Sequence, residues 1–181
     1  VGSGITLDDN GVSVNAATFN ITAINFNGLV ASGGAPATGT GFTDTEIFND
    51  AYTNTGGASV NVIYTVVPVS AGGCVGNAVS VTLTVNPEPV LSATLDVTRC
   101  SDVGSGITLD DDGVGVNAAT FNITAINFNG LVASAGAPVT GVAFGSAEIF
   151  NDAYTNTGSG PVNVIYTVVP VSAGGCVGNA V

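Results

Sequence analysis

One segment of this chain is written twice. Val1-Gly-Ser-Gly-Ile-Thr-Leu-Asp-Asp returns at Val103, 102 positions later, and residues 1–79 align with 103–181 without a gap. Of these 79 aligned positions 67 are identical. Seven of the twelve differences fall within 33–45 and three at 57–59, so those segments read as loops. A fixed period governs any fold reading, because each copy must close its own core or share one with a neighbour. The 23 residues between the copies, Ser80 to Asp102, include Val85-Asn-Pro-Glu-Pro-Val90. Proline blocks strand continuation and stiffens a join, so this stretch reads as the linker. It divides the chain into a module over 1–86 and a module over 87–181. On that division the first lacks its opening strand and the second its closing strand. The expectation is a window from a longer array, with the alternative that each gap is filled by a neighbour's strand.

The local pattern is that of strands. Val60-Asn-Val-Ile-Tyr-Thr-Val-Val67, Val79-Ser-Val-Thr-Leu-Thr-Val85 and Leu91-Ser-Ala-Thr-Leu-Asp-Val97 alternate apolar and polar residues. Phe19-Asn-Ile-Thr-Ala23 does so too, and Ile24-Asn-Phe26 continues in the opposite phase, which predicts a bulge near Ala23. Asn27-Gly28 predicts a two-residue hairpin turn, and Asn10-Gly11 and Asp112-Gly113 are further turns. Helical periodicity is nearly absent. Short strands with frequent turns, in a period the size of an immunoglobulin-like domain, predict tandem all-β sandwiches. Phe19, Ile21, Phe26, Ile47, Phe48, Val62, Tyr64 and Val66, with their copies 102 residues on, are the expected core.

Charge excludes whole classes of function. Thirteen acidic residues stand against one basic residue, Arg99, for a net charge of -12. Phosphate binding needs Lys and Arg to displace counterions, so nucleic acid is not a partner, and anionic membrane surfaces are disfavoured in the same way. Charged residues make up only 8% of the chain, roughly a third of the usual share. Thr, Asn, Ser and Gly supply the polar surface instead, as in secreted β-proteins. Mean hydropathy is +0.52, high for a soluble chain, yet no apolar run is long enough to insert in a membrane as a helix. Val- and Ile-rich strands account for the excess, or part of the outer surface is covered by neighbouring modules.

Candidate chemistry is sparse. Without His or Lys there is no triad, proton shuttle or Schiff base, and no catalytic residue is assigned. The carboxylate pairs Glu46 with Asp50 and Glu148 with Asp152 read as solvated loops, since nothing marks a cleft. Asp8-Asp9-Asn10-Gly11 and Asp110-Asp111-Asp112-Gly113 are the densest acidic clusters. They are candidate calcium ligands, although an Asx-Gly turn explains the same residues and the distal Glu of an EF-hand is missing. No other cofactor is implied. Asn20-Ile-Thr22 and Asn122-Ile-Thr124 fit the N-glycosylation acceptor pattern but lie inside an alternating strand. Each period carries two cysteines, which favours a disulfide and an oxidising compartment. Cys100 and Cys176 are the partners within the second module, and Cys74 would pair outside the chain. Cys74 with Cys100 is the competing pairing, and free thiols the third reading.

Several of these segments, taken in order, resemble a known repeat. Asp50-Ala-Tyr-Thr-Asn-Thr55, Val60-Asn-Val-Ile-Tyr-Thr-Val-Val-Pro-Val-Ser70, Gly73-Cys-Val-Gly76 and Val81-Thr-Leu-Thr-Val-Asn-Pro-Glu-Pro89 are similar to the PKD-like repeat. That repeat fills giant surface proteins and gliding-motility-associated adhesins of Bacteroidetes-type bacteria, and its early Cys-Ser is echoed by Cys100-Ser101. The N-terminal half of each module departs from it, lacking the Trp such repeats often carry. The resemblance implies an immunoglobulin-like sandwich, export to the cell surface, and a spacer, adhesive or filament-forming role. The leading expectation is a structural repeat of an extracellular fibre or adhesin stalk, with neighbouring copies of the module as partners. The alternative is an adhesive module that recognises glycans or a host surface through the 33–45 loops. Those loops offer only Phe42 and Phe144 as a sugar platform.

Overall fold

The computed structural model describes all 181 residues. The chain forms two compact units, Val1–Asn54 with Ser59–Asn86, and Thr55–Ala58 with Pro87–Val181. The first unit contains β1 (Ala16–Asn25), β2 (Val30–Gly33), β3 (Gly39–Phe42), β4 (Ala51–Thr53), β5 (Val60–Ser70) and β6 (Val79–Val85). The second contains β7 (Ala118–Asn127), β8 (Val132–Ala135), β9 (Gly141–Phe144), β10 (Ala153–Thr155) and β11 (Ile165–Ser172). Each unit is an all-β sandwich without helices. Its larger sheet runs β3-β1-β5-β6 in the first unit and β11-β7-β9 in the second, and its smaller sheet pairs β2 with β4 or β8 with β10. All pairings are antiparallel.

Alternation along β5 builds the first core. Val62, Tyr64 and Val66 point inward and are buried, while Asn61, Ile63 and Thr65 face out. From β1, Phe19 and Ile21 meet them, and Leu7, Ile47 and Tyr52 complete the cluster. Burying one such side chain contributes about 1.5–3 kcal/mol. The β1–β5 register slips between Ile21 and Ala23, the bulge that the phase change implied. The slip lets Ile24 and Phe26 pack against the same core. Leu91, Leu109, Phe121, Ile123, Ile149 and Val168 form the second core.

Four expectations are corrected. Phe48 and Phe150 are 43% and 44% exposed, not core. Consecutive tight turns (Glu46 N–H to Thr43 O, Phe48 N–H to Thr45 O, Asp50 N–H to Ile47 O) aim Ile47 inward and its neighbour outward. Asn27-Gly28 is a tight turn with φ of 47° and 87°, but it joins two sheets and does not close a hairpin. Both edges of β1 are already taken by β3 and β5, so β2 pairs with β4. Within 33–45, residues 39–42 form the edge strand β3, and an edge tolerates substitution as a loop does. Leu91–Val97 is not a strand and makes one bridge, Leu91 to Asp111. Beyond it the Ser92 hydroxyl takes the Thr94 N–H at 3.4 Å, turning the chain away.

Candidate functional site

The acidic turns serve the backbone. Asp9 accepts the Gly11 N–H on Oδ1 and the Ala16 N–H on Oδ2, both at 2.8 Å. Asp8 Oδ1 takes the Asp9 N–H at 2.8 Å and Asn10 Oδ1 the Val12 N–H at 3.1 Å. The second unit repeats this: Asp111 receives Gly113 at 3.0 Å and Ala118 at 2.9 Å, Asp110 receives Asp111, and Asp112 receives Val114. The Ala16 and Gly11 N–H groups hold the Asp9 carboxyl below its ordinary range. Both oxygens of the central aspartate thus staple the turn to the start of β1 or β7. No group of three or more His, Cys, Asp or Glu side chains is gathered to hold a metal ion. Thermal unfolding in chelator and in calcium is expected to give midpoints within about 1 °C. A ligand bound by the folded state alone raises the midpoint with concentration, so a calcium-dependent rise would show that the ion wins.

Buried beneath β4 and β5 lies the carboxylate that the composition did not mark. Asp50 is 1% exposed and Asp152 2%. The Tyr64 hydroxyl donates to Asp50 Oδ2 at 2.9 Å, which leaves Tyr52, 2.7 Å from Tyr64, to donate to Tyr64. Tyr154, Tyr166 and Asp152 form the same relay in the second unit, with 2.6 Å from Tyr166 to Asp152. The remaining oxygen, Oδ1 of Asp50 and of Asp152, has no partner. Burial pushes both carboxyls above the ordinary 3.8, Tyr64 or Tyr166 opposes this by donating, and Glu46 or Glu148 adds repulsion. Burial first, then the neighbouring hydroxyl and carboxylate, pushes the Tyr64 and Tyr166 phenols up as well. The Glu46–Asp50 and Glu148–Asp152 pairs are therefore not solvated loops, because the aspartate of each is inside. The relay ties the two sheets together, fully buried in the first unit and partly exposed at Tyr154 and Tyr166 in the second.

One concavity stands open in the first unit. A groove of 640 Å³ lies between Ile5–Asn10 and the β5–β6 turn, with Phe19, Pro68, Gly76 and Val79 along it.

Comparison with known families decides the identity of these sandwiches. A family model described as a PKD-like domain matches residues 5–89 and again 101–181. The chain belongs to the PKD-like family. No curated protein and no solved structure matches it. PKD-like domains are generally extracellular structural or adhesive modules and typically non-catalytic. No helix of this chain is long and apolar enough to cross a membrane.

Within the PKD-like units the remaining candidates take structural places. All three cysteines are free thiols, Cys74 and Cys100 exposed and Cys176 partly so, and the expected Cys100–Cys176 bond is not formed. The two lie by opposite ends of β11. Ser101, next to Cys100, takes the Asn156 N–H at 2.8 Å ahead of the loop that leads into β11, whereas the Cys176 N–H donates to Ser172 Oγ at 3.1 Å beyond its far end. A strand of eight residues spans about 26 Å, and a disulfide needs Cα atoms within about 7 Å. Asn20 and Asn122 use Oδ1 to accept the N–H of Gly41 and of Ala143, both at 2.9 Å. Those residues have φ of 75° and 60°, so the asparagine holds a left-handed kink in the edge strand. Phe42 and Phe144 are partly buried and pack against the cores.

Proposed function

We propose that this chain is a structural repeat of an extracellular fibre or adhesin stalk at a bacterial surface, with no catalytic role. One observation carries the reading: a single residue, Asn86, separates β6 of the first PKD-like unit from Pro87, where the second begins. The connection between the two units is thus short. The prolines at 87 and 89 restrict the join, since each fixes its own φ near -65°. The 102-residue period and an excess of acidic surface suit a repeated, solvated spacer in which neighbouring copies of the unit are the partners. The absence of His and Lys, together with carboxylates engaged in turns or buried, supports the non-catalytic part.

Negative-stain imaging of cells that make the full protein, with antibody raised against this chain, tests the proposal. Surface filaments with a repeat commensurate with one or two units are expected. Label confined to the cell interior, or isolated monomers of the intact protein, would overturn it.

A further inference from the structure

The chain carries three Asn-Gly pairs, Asn10-Gly11, Asn27-Gly28 and Asn129-Gly130. This dipeptide is chemically reactive, because a glycine without a Cβ leaves its backbone nitrogen free to attack the side-chain carbon of the asparagine before it. All three pairs are exposed, and a Cβ on any of the three glycines would meet nothing within 4 Å. Crowding at the glycine therefore does not separate them. The bonds of each asparagine amide do. Asn27 Nδ2 donates to the Asn61 carbonyl at 2.6 Å, and Asn129 Nδ2 to the Asn163 carbonyl at 2.8 Å. In both, the group that would have to leave is tied down. Asn10 is arranged the other way round. Its Oδ1 accepts the Val12 N–H at 3.1 Å and stands 3.5 Å from the Ser13 hydroxyl, while its Nδ2 donates to no protein group. The Gly11 N–H, on the nitrogen that would attack, donates to Asp9 Oδ1 at 2.8 Å.

Each part of this turn bears on the reaction. Donors on Asn10 Oδ1 draw electrons from Cγ and stabilise the oxyanion that develops when a nucleophile adds there. The Asp9 carboxylate already accepts from the attacking nitrogen, so it lies within reach of the proton that nitrogen must lose. Asn10 Nδ2 has no protein bond to break as it departs. The exposure of the turn does not depend on whether a segment lies alongside it. In the second unit the Val90 carbonyl accepts the Asp112 N–H and Leu91 bridges to Asp111, yet Asp112 and Gly113 are exposed. That unit already holds, at the matching position, the aspartate that the reaction would make. Asp112 Oδ1 accepts the Val114 N–H at 3.0 Å just as Asn10 accepts that of Val12, so the turn accommodates the product.

We infer that Asn10 is a site of spontaneous deamidation, with water as the only co-reactant, and that the fold holds back the same reaction at Asn27 and Asn129. The Gly11 nitrogen forms a bond to Asn10 Cγ as the Cγ–Nδ2 bond breaks. The Gly11 proton passes to Asp9 and from there through water to the departing nitrogen, which leaves as ammonia. Water then opens the cyclic imide at either of its carbonyls, giving aspartate or isoaspartate in place of Asn10. The aspartyl product adds one negative charge and keeps the bond from Val12. The isoaspartyl product routes the main chain through the side-chain carbon. That lengthens the chain beside Asp9, whose other oxygen holds the Ala16 N–H at the start of β1. The reaction needs no cell and no partner, so it stands or falls independently of the stalk reading.

The test incubates the folded 181-residue chain in heavy-oxygen water at mildly alkaline pH and body temperature for several weeks, and follows each Asn-Gly peptide by mass spectrometry. Heavy oxygen is expected to enter a new carboxyl at Asn10 about fivefold faster or more than at Asn27 and Asn129, the factor that one hydrogen bond on the leaving amide supplies. Chromatography of the Asn10 peptide is expected to resolve isoaspartate beside aspartate. In concentrated urea the bonds that distinguish the sites are gone, and the three rates are expected to converge. An Asn10 amide that survives the incubation in the folded chain would overturn the inference, as would equal rates at the three sites in that state. An advantage for Asn10 that persists unchanged in urea would overturn it too, because it would then come from neighbours in sequence and not from the folded turn.

Discussion

Replacing Gly34 by alanine is expected to destabilise the first unit strongly while leaving the second intact. Gly34 has φ of +79°, and a Cβ there would stand 2.4 Å from Asp50 Oδ1, 2.5 Å from Asp50 Cα and 2.6 Å from its nitrogen. Two of those atoms are backbone, so no rotamer change relieves the overlap. The left-handed conformation costs an alanine about 1 kcal/mol, and forcing apart a packed β2–β4 pair adds roughly 1–3 kcal/mol. About 3 kcal/mol or more is a large share of a domain stability of about 5–15 kcal/mol. Urea unfolding followed by hydrogen exchange is expected to lose protection over β1–β6 and keep it over β7–β11. Gly136→Ala, whose Cβ would stand 2.2 Å from Asp152 Oδ1, is expected to do the reverse. Equal stability of Gly34→Ala and the parent chain would show that β2 does not sit so close to Asp50.

The second large effect is expected from Tyr64→Phe. That hydroxyl is the only partner of the Asp50 carboxylate and also receives Tyr52, so its removal orphans both. Leaving a buried charged group without its hydrogen-bond donor costs roughly 1.5–3 kcal/mol. The loss should depend on pH, and the sign follows from Asp50. Its folded-state carboxyl sits above 3.8 because of burial, so the folded chain holds a proton that the unfolded chain has released. Stability is therefore full below pH 3.8 and is lost as pH rises through the folded-state value, by at most ~1.4 kcal/mol per pH unit for each such proton. Asp152 behaves alike. Asp9, bonded to backbone N–H groups, and Asp102, bonded first by Thr155, are shifted the other way and lose their contribution below that range. Maximum stability is thus expected on the acid side of neutrality, and Asp50→Asn with Asp152→Asn should flatten the fall towards pH 7. Tyr64→Phe should be less harmful in acid, where Asp50 takes up its proton, than at pH 7. A penalty for Tyr64→Phe that is the same at pH 4 and pH 7 would argue against a buried carboxylate.

Much of the fold is legible in residue order because strands declare themselves through period-two alternation. Val60–Val67 lies within β5, Val79–Val85 is β6 residue for residue, and the bulge beside Ala23 follows from a phase change visible in the chain. The repeat carries the β5 pattern and the bulge to the second unit at no further cost in inference. Where residue order misled, a local cue competed with a distant one. Leu91–Val97 alternates well, but an alternating run becomes a strand only if an edge is available, and here a single bridge is. Asn27-Gly28 has the chemistry of a hairpin, yet the edge it would use was occupied.

The functional candidates divide along the same line. That Asp9 and Asp111 lie in turns is a property of Asx-Gly sequences, which bond their own backbone within a few residues. Period, strand alternation, turn chemistry and the absence of basic residues were all determined by the sequence itself, since each is a matter of near neighbours or of composition. Contact between residues far apart in the chain was decided only by the tertiary structure. It put Asp50 under Tyr64, set Cys100 and Cys176 by opposite ends of β11, and bridged Leu91 to Asp111. Such contacts join residues far apart in the chain, which no near-neighbour pattern marks.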